Sequence, residues 1–306
     1  MERTSLGEAC LSPQTRSSVD SSPATTGAVV EPLPAIAPYA AIGPSEPTPW
    51  RPRPIIIASL GLHVAALLSL VVLPQAWPWA LGGVLTNHAV LALLTLCPDS
   101  QLLGRSMRTL PADLAPGHVA LTFDDGPDPA VTPRVLDMLD RHGARATFFC
   151  IGEKAQAHPA LMREIAARGH AIGNHTMRHL GWFAMLGIGG QRSEWVGAQR
   201  VLDQLGVAST LARTPLGLRS PLSDYALHQA GLRHIGWSRR GFDTLSGDAA
   251  VVLNRLARGL GEGDIILLHD AGARRDRNGE PVCLAVLEAL LPMLASKRLT
   301  SIRLEG

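Results

Sequence analysis

The stretch LTFDDGPDP, Leu121 to Pro129, sets two aspartates side by side where an apolar run ends. Val119, Leu121 and Phe123 alternate with small or polar residues, the pattern of a half-buried strand, and Gly126, Pro127, Asp128 and Pro129 break it. An aspartate in a turn caps local backbone, so the pair needs partners elsewhere before it suggests chemistry. Three other stretches offer them. In NHTMRH, His175 and His179 stand four residues apart, which on a helical turn puts both imidazoles on one face, as a metal requires. Two imidazoles and one carboxylate leave an open coordination position, the arrangement of a catalytic rather than a structural zinc. DIILLHD ends an apolar run on His269, a titratable acid beside such a site. RTPLG, Arg213 to Gly217, is either an ordinary Pro/Gly turn or the source of an arginine that holds a carboxylate through paired hydrogen bonds.

These groups need a common scaffold, and the chain from Gly117 onward supplies one. Strand-like runs at 118–123, 145–151, 170–174, 208–212, 232–238, 264–269 and 299–303 alternate with helical patterns, several ended by glycine, as in DMLDRHG, EIAARG and VLDQLG. Such alternation predicts a parallel sheet covered by helices. Seven strands approach the count of a βα barrel, where functional groups collect at the C-terminal strand ends. Asp124, Asp125, His175, Arg213 and His269 all fall at such ends.

The rest of the chain has a different texture. Residues 1–50 are rich in Pro, Ser, Thr and Ala with no apolar periodicity, which predicts a disordered tail without the apolar stretch of a signal peptide. IIIASLGLHVAALLSLVVL, Ile55 to Leu73, has no formal charge and approaches the ~20 residues that cross a bilayer as a helix. A second uncharged run, Trp77 to Cys97, opens with two tryptophans but carries Gly82, Gly83, Asn87 and His88. Residues 51–100 therefore read as a membrane segment of one or two helices, about 55–73 and 77–97, with His63 and His88 bonding between them. Only 18 % of residues are charged and the net charge is +2, which argues against a nucleic-acid partner. The four cysteines, Cys10, Cys97, Cys150 and Cys283, form neither a metal-type pair nor a disulfide framework.

TFDDG, HTMRH, RTPLG and a strand ending LLH, in that order, resemble the polysaccharide deacetylases, the NodB-homology carbohydrate esterases, over about residues 115–306. ATFFCIGE and GHAIGNH are also of the family's type. The resemblance implies an irregular (β/α)7 barrel and hydrolysis of an N-acyl group, foremost N-acetyl, from an aminosugar. It implies Asp124 as the base, Asp125, His175 and His179 as ligands of a divalent metal of the Zn2+ type, and Arg213 as the group orienting the base. His269 would be the general acid, paired with Asp243. Pro215, Gly217 and Leu267 would meet the substrate, Leu267 lining the acetyl pocket. One carboxylate then binds the metal while the other moves a proton. Two positions depart from the family's pattern: Thr244 follows Asp243 where Trp is frequent, and Arg240 stands where another Asp is common. Arg219, in GLRSP, reads either as a substrate contact or as a surface charge. An O-deacetylase uses the same site, and a non-catalytic, membrane-tethered sugar-binding module is the alternative outside enzymes.

The side of the membrane follows from the helix count. With two helices, the loop at Pro74 to Ala76 lacks Lys and Arg, whereas Arg51, Arg53, Arg105 and Arg108 flank the outer ends. The positive-inside bias then places a catalytic domain on the cytoplasmic face of the inner membrane, within reach of a lipid-linked sugar. A lipid-linked aminosugar deformylase of the same family sets a precedent. With one helix the domain lies outside, facing peptidoglycan or an exported polysaccharide.

Overall fold

The structure, a computed structural model, describes residues 49–305. The expected tail, apart from its last two residues, lies outside the described residues, as does Cys10. Helix α1 (Pro54–Val72) begins with proline at its first turn and buries none of its residues against protein. At about 1.5 Å per residue its nineteen residues extend roughly 28 Å, close to the ~30 Å of a bilayer's hydrocarbon core. Among the described residues it is the one helix both long and apolar enough to cross a membrane. A turn at Pro74–Ala76 leads into α2 (Trp77–Thr95), of equal length but less apolar. The two fold against each other through polar contacts: Asn87 Nδ2 donates to Ser59 Oγ (2.8 Å), and His63 Nε2 lies 3.3 Å from His88 Nε2. The histidines meet as the sequence predicts.

A parallel sheet follows, built from β1 (His118–Asp124), β2 (Ala146–Cys150), β3 (Ala171–Asn174), β4 (Leu211–Ala212), β5 (Arg233–His234), β6 (Arg239–Arg240), β7 (Ile265–His269) and β8 (Thr300–Ser301). Its order is β5-β4-β3-β2-β1-β7-β6, with β8 pairing the start of β1. Helices α3 (Thr132–Arg141), α4 (Gly152–Ala157), α5 (Pro159–Ala167), α6 (Ile188–Gln204), α7 (Ser223–Gln229), α8 (Ala249–Ala257) and α9 (Val282–Ser296) fill the crossovers. The result is the expected irregular (β/α)7-type barrel. Each of the seven predicted strands overlaps one observed strand. The candidate at 232–238 is the poorest match: only 233–234 pair with β4, and just beyond it the chain joins the opposite edge as β6, an eighth strand that was not anticipated. The bend passes Gly236, where a Cβ would stand 2.7 Å from Ser106 Oγ. Between the two edges runs the segment before β1. Met107 N–H donates to His234 O (3.0 Å), Gly236 N–H to Met107 O (2.8 Å), and Leu110 N–H to Gly263 O (2.8 Å).

β1 is buried on both faces rather than half-buried. Val119, Leu121 and Phe123 pack outward among apolar residues of α3, α5 and α9. Ala120, Thr122 and Asp124 take the alternate face, inside the barrel, where Ala120 joins Phe149, Leu211, Ile235, Trp237 and Leu267. The small and polar alternate positions therefore face a closed interior, not solvent. Cys150 and Cys283 are buried thiols and Cys97 is exposed, all unpaired.

The stretches flanking the helical hairpin are bonded to the domain. Trp50 Nε1 donates to Asp224 Oδ2 (2.9 Å) and its ring lies 4.8 Å from that of Tyr225. Arg53 donates to Gln101 O (2.9 Å), Ser106 Oγ meets His234 Nδ1 (2.7 Å), and Arg108 donates to Trp237 O (3.1 Å). Arg219 is neither a surface charge nor free for substrate: it is buried, and its guanidinium donates to the carbonyls of Ser100, Gly104 and Arg105. Arg219→Met leaves these carbonyls without their charged donor at a cost of about 1–3 kcal/mol. At ~2–4 °C per kcal/mol for a domain of this size, the thermal midpoint in detergent should fall by several degrees. An unchanged midpoint would show that the segment is held by its other bonds alone.

Candidate active site

Asp124 ends β1 with its side chain inside the barrel, where a bare carboxylate is costly unless paired. Arg213, just past β4 and fully buried, pairs it: Nη1 donates to Asp124 Oδ1 (2.6 Å) and Thr122 Oγ1 (2.9 Å). Its remaining nitrogens donate to Ile235 O (3.0 Å) and Gly236 O (2.9 Å), and the guanidinium lies over the Phe149 ring at 4.1 Å. Arg213 thus holds a carboxylate as anticipated for RTPLG, but through one hydrogen bond to Oδ1 rather than a pair.

Asp125 leaves the strand. Its φ of 72° is a conformation that L-residues rarely adopt, and it turns the second carboxylate toward the histidines. Asp125 Oδ1 lies 3.2 Å from His175 Nε2 and 3.1 Å from His179 Nε2. That oxygen is buried without a hydrogen-bond partner, and the three ligand atoms lie within 4.8 Å of one another. His175 Nδ1–H donates to Arg213 O (2.8 Å), which aims Nε2 at the cluster. Burial and the neighbouring His175 hold His179 below the ordinary histidine pKa, which favours the neutral ring. Burial opposes ionisation of Asp125, but the adjoining His175 and the charge of the surrounding histidines outweigh it and lower its pKa. An orphaned oxygen facing two ring nitrogens fits a divalent cation.

The i, i+4 spacing works differently from the helical turn expected, because residues 175–180 form no helix. The chain instead reverses through left-handed conformations at Thr176 (φ 64°) and His179 (φ 51°). Asn174 Oδ1 accepts from Thr176 N–H (2.9 Å), Thr176 Oγ1 from His179 N–H (3.1 Å), and buried Glu194 from Arg178 N–H (2.9 Å). Short local bonds do the positioning that helix geometry was expected to do.

His269 ends β7, its Cα in register with that of Asp124 on the neighbouring strand. Asp243 Oδ1 accepts from its Nδ1 (2.8 Å) and Oδ2 from its backbone N–H (2.8 Å). Burial works against the imidazolium, but the Asp243 bond and charge, with Asp124 and Asp125 behind them, raise the pKa of His269 above its ordinary value. Leu267 points into the same interior two residues below His269, buried against Phe149 and Trp237. Pro215 is buried, and Gly217 (φ 74°) lies so close to the Trp237 ring that a Cβ would stand 2.3 Å from it. The exposed member of that turn is Leu216, held at φ 57°.

Two supports were not anticipated. Lys154 Nζ donates to Asp125 O (2.7 Å), fixing the turned backbone. Asp270, beyond His269, accepts from Thr132 Oγ1 (2.5 Å) and occupies the space of a Gly126 side chain, a Cβ there standing 2.2 Å from Oδ2. Burial first, then the charge of Asp125, push the Asp270 carboxyl up to about 7. The glycine after DD was the available signal for this close approach.

A family model described as Polysaccharide deacetylase matches residues 112–235. The chain is 34% identical over 184 residues to a peptidoglycan-N-acetylglucosamine deacetylase of Bacillus cereus, covering 58% of this chain and 81% of that protein. It is 34% identical over 189 residues to a chitooligosaccharide deacetylase of Azorhizobium caulinodans, covering 58% and 89% respectively. A solved peptidoglycan N-acetylglucosamine deacetylase superposes with a TM-score of 0.58 at 28% identity, over 65% of this chain and 90% of that one.

Removing the Asp243 charge isolates its effect on His269. In Asp243→Asn the burial that disfavours imidazolium remains while its main counterweight is gone, so the His269 pKa should fall. Ring-proton NMR titration of the two proteins reads this directly, and an unchanged midpoint would deny Asp243 that role.

Proposed function

The chain belongs to the polysaccharide deacetylase family, carbohydrate hydrolases that act on amide C–N bonds, and from that premise we propose that it removes an N-acetyl group from an aminosugar of a glycan or lipid-linked saccharide. One observation carries the reading. Asp124 held by Arg213 and His269 held by Asp243 end adjacent strands, with Asp125, His175 and His179 beside them. A divalent cation of the zinc type in the Asp125–His175–His179 site supplies Lewis-acid polarisation of the acyl oxygen and acidifies water from ~15.7 toward ~7. The residues of the chain handle the protons. Arg213 fixes one oxygen of Asp124 and leaves the other, 3.8 Å from His175 Nε2, to take the proton of the attacking water. Asp243 occupies Nδ1 of His269, so Nε2–H is the group that protonates the departing sugar nitrogen, which otherwise leaves poorly as an amide anion. Leu216 lies exposed on the RTPLG turn, while Leu267 shapes the floor beneath the acid.

The names of the relatives favour an N-acetylglucosamine-type sugar. The helical hairpin favours a membrane setting: α2 matches α1 in length, is equally unburied by protein, and meets it through matched polar groups. With both helices in the bilayer, Arg51, Arg53, Arg105 and Arg108 place the domain at the cytoplasmic face, where the sugar would be lipid-linked. A second reading has α1 as the sole span and the domain outside. Two observations favour it: α2 is less apolar, and the B. cereus relative is named for peptidoglycan.

The test is release of acetate by the full chain in detergent from N-acetylglucosamine oligomers and from an O-acetylated sugar. Asp124→Asn should lower kcat on the N-acetyl substrate by about 10²–10⁴ with little change in KM, and chelation should abolish turnover reversibly. Retention of wild-type activity in either experiment would overturn the roles assigned, and release from the O-acetyl sugar alone would make the protein an esterase. C-terminal fusions to a reporter active only outside the cytoplasm, and to one fluorescent only inside, separate the two topologies. The hairpin reading expects the inside signal.

A further inference from the structure

Among the described residues, the Arg240 guanidinium has no hydrogen-bond or ion-pair partner. Its Cα pairs with that of Leu267, which places its side chain on the inward face of the sheet, the face that carries His269 two residues on. Its neighbour Arg239 takes the other face and is fully engaged, with Asp264 and with the carbonyls of Arg258 and Gly259. Arg240, among the described residues, makes no hydrogen bond and no ion pair, and its buried Nε is unsatisfied. What it touches are two rings: the guanidinium carbon lies 5.2 Å from the centre of Trp237 and 4.7 Å from that of Phe242. Trp237 in turn lies 5.6 Å from the guanidinium of Arg213, so one indole is shared by Arg240 and the arginine that holds Asp124.

The carboxylates whose charge reaches Arg240 are Asp124, Asp243, Asp125 and Asp99. Each is already paired: Asp124 with Arg213, Asp243 with His269, Asp125 with the two histidines, and Asp99 with Arg108 at 2.7 Å. None is left over for Arg240. The backbone adds an independent sign, because Phe242 holds a left-handed φ of 60° and stays 38% exposed while Asp243 beside it is buried. Strain of this kind persists where the surroundings impose it, and here it keeps an aromatic ring against the guanidinium at the edge of the site. A half-buried guanidinium with aromatic walls and free donors is suited to bidentate capture of a phosphate or carboxylate.

We propose that Arg240, backed by Trp237 and Phe242, forms a subsite for an anionic substituent of the sugar, a phosphate ester or a carboxylate, so that the substrate is a negatively charged aminosugar derivative. The proposal rests on the deacetylase reading for its substrate but not for its binding chemistry. The experiment keeps the two apart by measuring binding and turnover on the same ligands with the full chain in detergent. Calorimetry is run with methyl N-acetylglucosaminide, N-acetylglucosamine 1-phosphate and N-acetylmuramic acid, then acetate release is measured from each. At least one anionic sugar should bind about tenfold or more tightly than the neutral one, and added salt should shrink that preference. Arg240→Gln should erase the preference, and Arg240→Lys, which keeps the charge but not the planar fork, should restore part of it. The phosphate and carboxylate arms identify which anion the subsite takes. Equal binding of neutral and anionic sugars by the wild type would overturn the proposal, as would a preference that survives in Arg240→Gln. If the preference is present and depends on Arg240 but no acetate is released, the deacetylase reading fails and the anion subsite stands.

Discussion

The ion pair of Asp124 and Arg213 organises the barrel. A guanidinium buried this deeply is tolerable only with a carboxylate against it and acceptors for its other protons, and the interior supplies both. The same side chain binds the carbonyls of Ile235 and Gly236, where the chain leaves β5 and crosses to β6. The backbone carbonyl of Arg213 also fixes the ring of His175. Closure of the sheet, orientation of the Asp124 carboxylate and orientation of the His175 ring therefore share one residue. Moving Arg213 would disturb all three together.

Around that pair the backbone departs from comfortable geometry in defined places. Asp125 and His179 both adopt left-handed φ, at roughly 1–3 kcal/mol each for residues other than glycine. Neither could hold such a conformation alone. Lys154 secures the carbonyl of Asp125, Thr176 secures the amide of His179, and Asp270 packs where Gly126 has no side chain. The rigid strands deliver Asp124 and His269, while Asp125 and His179 come from strained turns clamped by their neighbours.

Much of this was legible in the amino-acid sequence, and the limits have physical causes. Apolar runs ending in polar residues located the strands, because a strand buried on its outer face must show that period. They did not show that β1 is buried on its inner face too, since small and polar residues there look the same whether they meet solvent or an ion pair. The candidate at 232–238 overran β5 because hydrophobicity continues through Gly236 while hydrogen-bond partners change, and β6, two arginines, carries no apolar signal at all. His175 and His179 were found from their spacing, yet spacing is blind to whether four residues make a helical turn or a clamped loop. Arg219 was ambiguous because a lone arginine says nothing of the carbonyls waiting for it in residues 100–105. Lys154 and Asp270 act through backbone and packing volume, neither of which leaves a periodic trace.

The segments that join the helical hairpin to the barrel have a mechanical consequence. Trp50 and Arg219 bind the two ends of the hairpin to the domain, Arg53 ties one end to the other at Gln101, and Pro98 lies close enough to the RTPLG turn that a Cβ on Gly217 would stand 3.2 Å from it. With the hairpin anchored as proposed, the catalytic centre rides on a stiff boom rather than a leash. It would sweep a thin slab parallel to the lipid surface at one height and one tilt, finding targets by lateral drift. A polymer strand many nanometres away would have to come to the enzyme.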